Sequence, residues 1–435
     1  MKKFKSSQLS RLTKLGKSLV VATGHLAIDA VKNKTQDLID KSDRAQELTR
    51  KISATKEIVQ SMGELKGALM KLGQMISITE DMVLPPEISA LFRELQKTSP
   101  PMSHKDLHSV FYKSFNKRPL ELYAEFDETP IAAASIGQVH LAKTFSGEQV
   151  AVKVQYPQIV DAIKNDFKNI DRINQLINLL FPNKPDIEHY VEELRRSLIE
   201  ECNYLKEREH LERYREIYSS EFPQILVPKV FPELCSENIL TLEYMTGDTF
   251  GESLSYSQTE RDELGQILFD SHMFGIYNAR FLHTDPQNGN YLFRPGKIIL
   301  MDFGSVKEFD LDFIKKYHHL LSAIERDQLE EYRRAMLDLG FFEESDEIDL
   351  FHKHFEMVKK LYLPYTRQGI YSIEKINPFE MVQDFMKGVS LKGRKAPRED
   401  FLLLDRANLG LYSKLKTWNS HIDWLTRKRK YTINF

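Results

Sequence analysis

The 435-residue chain contains only two cysteines, Cys202 and Cys235. Two thiols cannot build a disulfide framework or fill a four-cysteine zinc site. Glycine (19) and proline (17) are too sparse for collagenous or low-complexity architecture. Long apolar runs are missing as well. The longest uncharged stretches, Ser18–Ile28 and Thr129–Ala142, fall short of the roughly 20 residues that a spanning helix needs. Nor is there an excess of one charge: Lys+Arg 61 against Asp+Glu 63 leaves a net −2, which argues against a general polyanion binder and against a nucleic-acid partner. What remains is a globular composition, 41% hydrophobic and 29% charged. At about 150 residues per domain, the length fits two to three domains.

The near-zero net charge hides an asymmetry. Residues 1–35 hold eight basic residues and one acid, Asp29, a local +7 that leaves −9 on the rest. Leu9, Leu12, Leu15 and Leu19 recur at helical spacing with lysines between them. That pattern reads as a basic amphipathic helix suited to an anionic membrane surface, or as a solvated helix packed on its own protein. A single arginine and Asp29 argue against a mitochondrial transit peptide. The expectation is a cytoplasmic protein, peripheral on an inner membrane, bacterial rather than mitochondrial. A second basic run, Arg427–Lys430, stands near Trp418 and Trp424 and is expected to favour the same surface, with core packing of the two tryptophans as the alternative.

Four zones follow from periodicity and punctuation. Residues 1–105 read as a helical N-terminal extension, with Ile58, Met62, Leu65, Leu69 and Leu72 on one stripe, closed by Leu84-Pro85-Pro86 and by Ser99-Pro100-Pro101. Ser103 predicts an N-cap for a helix through Phe115. Residues 106–246 read as a β-rich lobe. It contains a hairpin, Gln138–Lys143 and Gln149–Gln155 around Ser146-Gly147-Glu148, and a long helical stretch from Asp186 to Tyr218. Short β-rich runs follow at Val227–Phe231 and Asn238–Glu243. Residues 247–400 read as a helical lobe interrupted by short strands at Tyr291–Phe293 and Ile298–Met301. In residues 401–435, Leu411, Leu415, Trp418, Ile422 and Leu425 form another helical stripe.

Three short segments carry chemistry. In Val150-Ala151-Val152-Lys153, alternation puts Lys153 on the face of Ala151, opposite Val152 and Val154. An ammonium there must be partnered, although a solvated strand-edge lysine gives the same pattern. In His283–Asn290, Asp285 and Asn290 stand five apart in a loop before a strand, able to aim two oxygens at one point or to serve their own backbone as Asx turns. Met301-Asp302-Phe303-Gly304 follows the apolar strand Ile298-Ile299-Leu300, placing a carboxylate where a hard cation with a polyphosphate, or a simple turn, would use it. In this order, the three are the protein-kinase signature set and predict a two-lobed kinase-like fold of the α+β class.

A family resemblance then becomes specific. Lys71-Leu72-Gly73-Gln74 resembles the KxGQ motif of the UbiB (AarF-like) atypical kinases. Ala132–His140 resembles that family's Ala-rich nucleotide loop, Glu201-Cys202-Asn203-Tyr204 its ExD motif, and Thr284-Asp285-Pro286 its catalytic loop. The resemblance spans Gly63–Phe303 and, more loosely, Phe401–Tyr412. It implies an ATP-binding (or ADP-binding), Mg²⁺-dependent kinase or ATPase with a supporting role in isoprenoid-quinone (ubiquinone) or related lipid metabolism at a membrane surface. An isoprenoid lipid or quinone precursor becomes an expected partner. It also implies that the Lys71 helix packs over the active site and aims Lys71 at Glu201.

Kinase chemistry is mostly positioning and charge neutralisation. On this reading Lys153 contacts the α- and β-phosphates. Glu207 is its ion-pair partner, matching the family's glutamate by its spacing from Glu201; among the many acids of that helix, spacing alone would not choose it. Asn290 and Asp302 hold Mg²⁺, and Asp285 orients or deprotonates a hydroxyl or water. The backbone of Glu243 and Met245 meets adenine. Ala132, Ala133, Ala134, Ser135, Gly137 and Gln138 form the nucleotide loop, where three alanines restrict the freedom that glycines would give. Asn203 departs from the family's aspartate and removes a charge expected near Lys71 or the metal. An ordinary peptide kinase has an activation segment ending in Ala-Pro-Glu. Here Asp310, an expected N-cap for Leu311–Glu325, follows Gly304 too closely for one. That weighs against a conventional protein kinase and leaves a nucleotide-switched lipid-binding scaffold as the other reading.

Overall fold

The computed structural model describes residues 102–133, 136–166, 199–374, 376–377, 381, 384–385, 399–433 and 435. The basic N-terminal helix, the Lys71/Gln74 segment, and Ala134 and Ser135 lie outside the described residues.

Ser103 caps α1 (His104–Phe115) as expected, its Oγ accepting from Asp106 N at 3.1 Å, and Asn116 ends the helix at φ 54°. An antiparallel sheet follows. It consists of β1 (Glu125–Phe126), β2 (Ala132–Ala133), β3 (Gly137–Lys143), β4 (Gln149–Gln155) and, later in the chain, β6 (Ile239–Glu243). Alternation along β4 divides its side chains. Val150, Val152 and Val154 pack with Leu107, Val110 and Phe111 of α1 in one core. On the opposite face, Lys153 and Gln155 reach the chain around residues 202–207: Gln155 Nε2 donates to the Cys202 carbonyl at 2.8 Å.

Between β4 and β6 come α2 (Ile159–Asp166), α3 (Tyr204–Glu221) and β5 (Ile225–Leu226). The sequence suggests continuous helix from Asp186 to Tyr218, but the helical segment ending at Glu201 breaks at Cys202-Asn203, and α3 starts afresh. Asn203 is the N-cap: its side-chain oxygen accepts from Leu205 N at 3.1 Å and Lys206 N at 3.2 Å. Asparagine and aspartate cap equally well, so the departure from ExD keeps a local structural role without the charge. The strand expected over Val227–Phe231 also shifts. β5 ends at Leu226, and Val230 makes only an isolated bridge to Leu242. Pro228 and Pro232 lack the N–H that a ladder needs.

The second lobe is built on α4 (Gln258–Phe274), capped by a Ser257–Glu260 capping box. Two small sheets lie on it. β7 (Phe281–His283) pairs with β10 (Val306–Glu308). β8 (Tyr291–Arg294) pairs with β9 (Lys297–Leu300), which also takes β5 as a parallel neighbour. Asp310 caps α5 (Leu311–Glu325), as the sequence predicts. Next come α6 (Leu329–Asp338), α7 (Ile348–Leu361), α8 (Glu399–Thr417) and α9 (Trp424–Thr432). No described helix is long and apolar enough to cross a membrane.

The C-terminal stripe is buried but is not one helix. Asn419 turns left-handed at φ 52° after α8, and Asp423 caps α9. Trp418 and Trp424 are both 0% exposed and belong to the core of the second lobe. Arg427 pairs with Asp270 at 2.6 Å, and Lys428 and Arg429 pair with Glu325 at 2.6 and 3.0 Å. The two tryptophans therefore take the core-packing alternative, and Asp270 and Glu325 pair with three of the four cations of the basic run, of which Arg429 stays 59% exposed.

Two buried histidines make this lobe acid-sensitive. Burial pushes His272, bonded to Asn408 Oδ1 at 2.8 Å, down to about 4, and His354, against the Tyr332 hydroxyl, down to about 3. The unfolded chain takes up protons near pH 6.5, whereas the folded chain resists until pH 4 or below. Stability is thus present above pH 6.5 and lost as pH falls through this window. Buried carboxyls with raised pKa, Glu207 at about 7 and Asp405 at about 6, act in the opposite direction over the same window. Melting between pH 7.5 and pH 5 is therefore expected to fall a few degrees further in the wild type than in His272→Gln, about 2 kcal/mol of the difference being the lost histidine linkage; equal falls would contradict neutral burial of His272.

Candidate active site

Lys153 stands where three elements meet. Its Nζ lies 2.7 Å from Glu207 Oε1 in the first turn of α3 and 2.9 Å from Asp302 Oδ2 just beyond β9. It is also 5.3 Å from the Tyr204 ring centroid. The sheet fixes Lys153 between Val139 and Leu240, and the cap at Asn203 fixes the start of α3. Burial would lower the Lys153 pKa, but Asp302 and Glu207 outweigh it and hold the ammonium firmly charged. One cation serves two carboxylates, which separate by environment. Burial pushes Glu207 up to about 7 against the pull of Lys153. Asp302 is more exposed; burial would raise it, yet Lys153 keeps it below the usual carboxylate range.

The catalytic-loop candidates lie between β7 and β8. Thr284 N donates to the Ser305 carbonyl at 3.0 Å, tying the loop to the chain after Gly304. Asn290 Nδ2 donates to the Asp285 carbonyl at 3.4 Å, and Met301 N donates to the Asn290 carbonyl at 2.9 Å. These bonds bring the Asp285 loop, Asn290 and the Asp302 turn into one place. Glu201 is buried close by: a Cβ built on Gly304 would lie 3.5 Å from Glu201 Cγ. From Gly304 the chain enters β10 directly, so the segment carries no long loop.

The nucleotide-loop residues divide. Ala132 and Ala133 pair with Val139 and Gln138. Gly137 cannot carry a side chain, since a Cβ would stand 2.3 Å from the Val154 carbonyl oxygen. The Gln138 side chain is engaged within the protein: at 1% exposure, its Oε1 accepts from Met102 N at 2.8 Å and its Nε2 meets His140 Nε2 at 2.8 Å. It ties the loop to the start of α1. Glu243 closes β6, and Met245 lies in the irregular chain just beyond, between the two lobes.

Sequence reasoning missed one contributor. Arg406 on α8 places Nη2 2.7 Å from Asp285 Oδ1. Two turns along, the Lys414 ammonium donates to the Pro286 carbonyl and lies 4.4 Å from the Tyr291 ring centroid; burial pushes it down to about 7. A cation inside the apolar pattern Leu404, Leu411, Leu415 was the available signal, although it named no partner.

Two lobes joined after β6, with a strand lysine paired to a helix glutamate and facing an Asp at a strand exit, define a protein-kinase-like protein. The ABC1 atypical kinase-like domain matches residues 94–336, and the chain belongs to that family. It is 32% identical over 369 residues to "Atypical kinase COQ8, mitochondrial" of Schizosaccharomyces pombe, covering 84% of this chain and 59% of that protein. It is 30% identical over 363 residues to the protein of the same name from Saccharomyces cerevisiae, covering 83% and 71%. Rv3197 of Mycobacterium tuberculosis, solved with erythromycin, shares the fold at a TM-score of 0.60 and 23% identity, covering 90% of this chain and 98% of that one.

Among the described residues no cluster of three or more His, Cys, Asp or Glu side chains forms a cation cage. The carboxylate of Asp302 and the carboxamide of Asn290 are hard oxygen donors. Mg²⁺ is commonly held by one or two such groups together with phosphate oxygens and water, so the donor set fits it.

Proposed function

We propose that the chain binds ATP or ADP with Mg²⁺ between its lobes and acts as an atypical kinase or ATPase. It would support isoprenoid-quinone, such as ubiquinone, or related lipid metabolism at an anionic membrane surface. The observation that carries this reading is the Lys153 ammonium shared between Glu207 and Asp302, beside the loop that bears Asp285 and Asn290. In this reading Glu207 and Asp302 hold Lys153 ready for the α- and β-phosphates, and Asn290 and Asp302 hold the cation, which neutralises charge on the phosphates. Asp285 orients the attacking hydroxyl or water. The backbone at Glu243 and Met245 meets adenine. The resemblance supports a further role for the segment with Lys71 and Gln74, which would cover the site and turn Lys71 toward Glu201. The basic N-terminal residues attach to anionic lipid, each contributing roughly 1 kcal/mol near a charged surface.

Purified protein is expected to bind MgADP and to hydrolyse ATP faster with anionic liposomes. Asp302→Asn should remove most of the binding. No binding at millimolar Mg²⁺, or binding indifferent to Asp302→Asn, overturns the reading. The close passage from Gly304 into β10 favours a second reading, a nucleotide-switched lipid-binding scaffold with no peptide-docking groove. In cells the scaffold tolerates Asp285→Ala while still needing Lys153 and Asp302; the enzyme does not.

A further inference from the structure

The loop His283–Asn290 contains no lysine or arginine. In the ordinary kinase signature an arginine stands directly before the catalytic aspartate; here Thr284 does. Positive charge nevertheless reaches the loop from the far end of the chain. Arg406, Gly410 and Lys414 recur every fourth residue along α8 and share one face. All three touch the loop. Arg406 Nη2 is 2.7 Å from Asp285 Oδ1, with the two side chains 12% and 10% exposed. Gly410 packs directly on Pro286, where a Cβ would stand 1.9 Å from Pro286 Cβ. Lys414 is 3% exposed and donates to the Pro286 carbonyl above the Tyr291 ring.

We propose that α8 is a working wall of the active site, in which Arg406 and Lys414 are positioning residues: Arg406 supplies the charge the loop lacks and holds the Asp285 carboxylate in one orientation, and Lys414 holds the backbone beneath it by donating to the Pro286 carbonyl. A charge-assisted bond from a planar guanidinium to one carboxylate oxygen restrains the carboxylate rotamer. Gly410 lets the helix approach closely enough for both side chains to reach. Because both act on Asp285 and not on the phosphates, they bear on turnover rather than on nucleotide affinity. This inference rests on the nucleotide-handling reading above.

The test separates binding from turnover in the full-length chain, with a fluorescent ADP analogue for affinity and phosphate release from ATP for rate. Arg406→Ala is expected to lower kcat about 100-fold while MgADP affinity stays within about twofold. Arg406→Lys should recover roughly tenfold, and millimolar guanidinium should restore part of the Arg406→Ala rate without accelerating the wild type. Lys414→Met should lower kcat about tenfold. If that variant fails to fold, the Arg406 series still decides. An Arg406→Ala kcat within twofold of wild type overturns the inference. So does an equal loss of affinity and rate that neither lysine nor guanidinium relieves. A wild-type chain that binds nucleotide and turns none over also overturns it while sparing the binding site. A wild type that binds no nucleotide overturns the parent reading and this inference with it.

Discussion

Lys153→Met is expected to lower ATP turnover by roughly 100- to 1000-fold and to destabilise the fold by about 3 kcal/mol. The two effects have one origin. Lys153 is the ammonium bonded to both Glu207 and Asp302. Glu207 is 3% exposed, and without Lys153 its carboxylate is left buried beside a second carboxylate. An uncompensated buried charge is the costly case, whereas removing both members of such a pair is often nearly neutral. Glu207→Leu added to Lys153→Met should therefore recover much of the lost stability and none of the turnover. Thermal melting of the two single variants and the double variant measures the coupling. Additive losses of stability would mean that the pair seen in the structure contributes little.

Trp418→Ala is expected to cost about 3–5 kcal/mol, a fall in melting temperature on the order of 10 °C. The indole is 0% exposed, its centroid 5.1 Å from both Phe250 and Phe293, and its Nε1 donates to Ser253 Oγ at 2.9 Å. Truncation leaves a large cavity and removes the donor to Ser253 Oγ, which keeps its own bond to the Phe250 carbonyl at 2.7 Å. Liposome attachment of the folded variant should match that of the wild type. A large loss of attachment with unchanged melting would return this tryptophan to the membrane interface.

What could be read from the sequence was what depends on neighbours in the chain. The caps at Ser103 and Asp310 need only a side chain and the next three amides, and both stand where the spacing puts them. The β3–β4 hairpin depends on alternation and a turn, and it too follows the pattern. Lys153, Asp285, Asn290 and Asp302 were legible because each sits in a local motif. Periodicity misled where one residue interrupts a helical stripe: Asn203 starts a new helix inside an apparent long one, and Asn419 bends the C-terminal stripe. Gln138 matched the nucleotide loop in sequence, yet its side chain is taken up by Met102 and His140, which no short-range pattern reveals. The contact from Arg406 to Asp285 joins residues 121 apart. Helical spacing places that arginine on a helix and is silent about its partner.

The dependence of Asp285 on α8 also bears on how the protein is made. Domains form N-terminal first as the chain leaves the ribosome. The sheet and α1 need nothing beyond β6 for their shared core, so this lobe can fold early. The second lobe cannot close until Trp418 and Trp424 have emerged to fill it. By then Lys153, Asp285, Asn290 and Asp302 are long since synthesised. A nascent chain can therefore display the whole set of motifs and still lack the Arg406 guanidinium that pairs with Asp285. On the proposed mechanism, turnover is linked to completion of the fold, and a product truncated after α7 is expected to be inert.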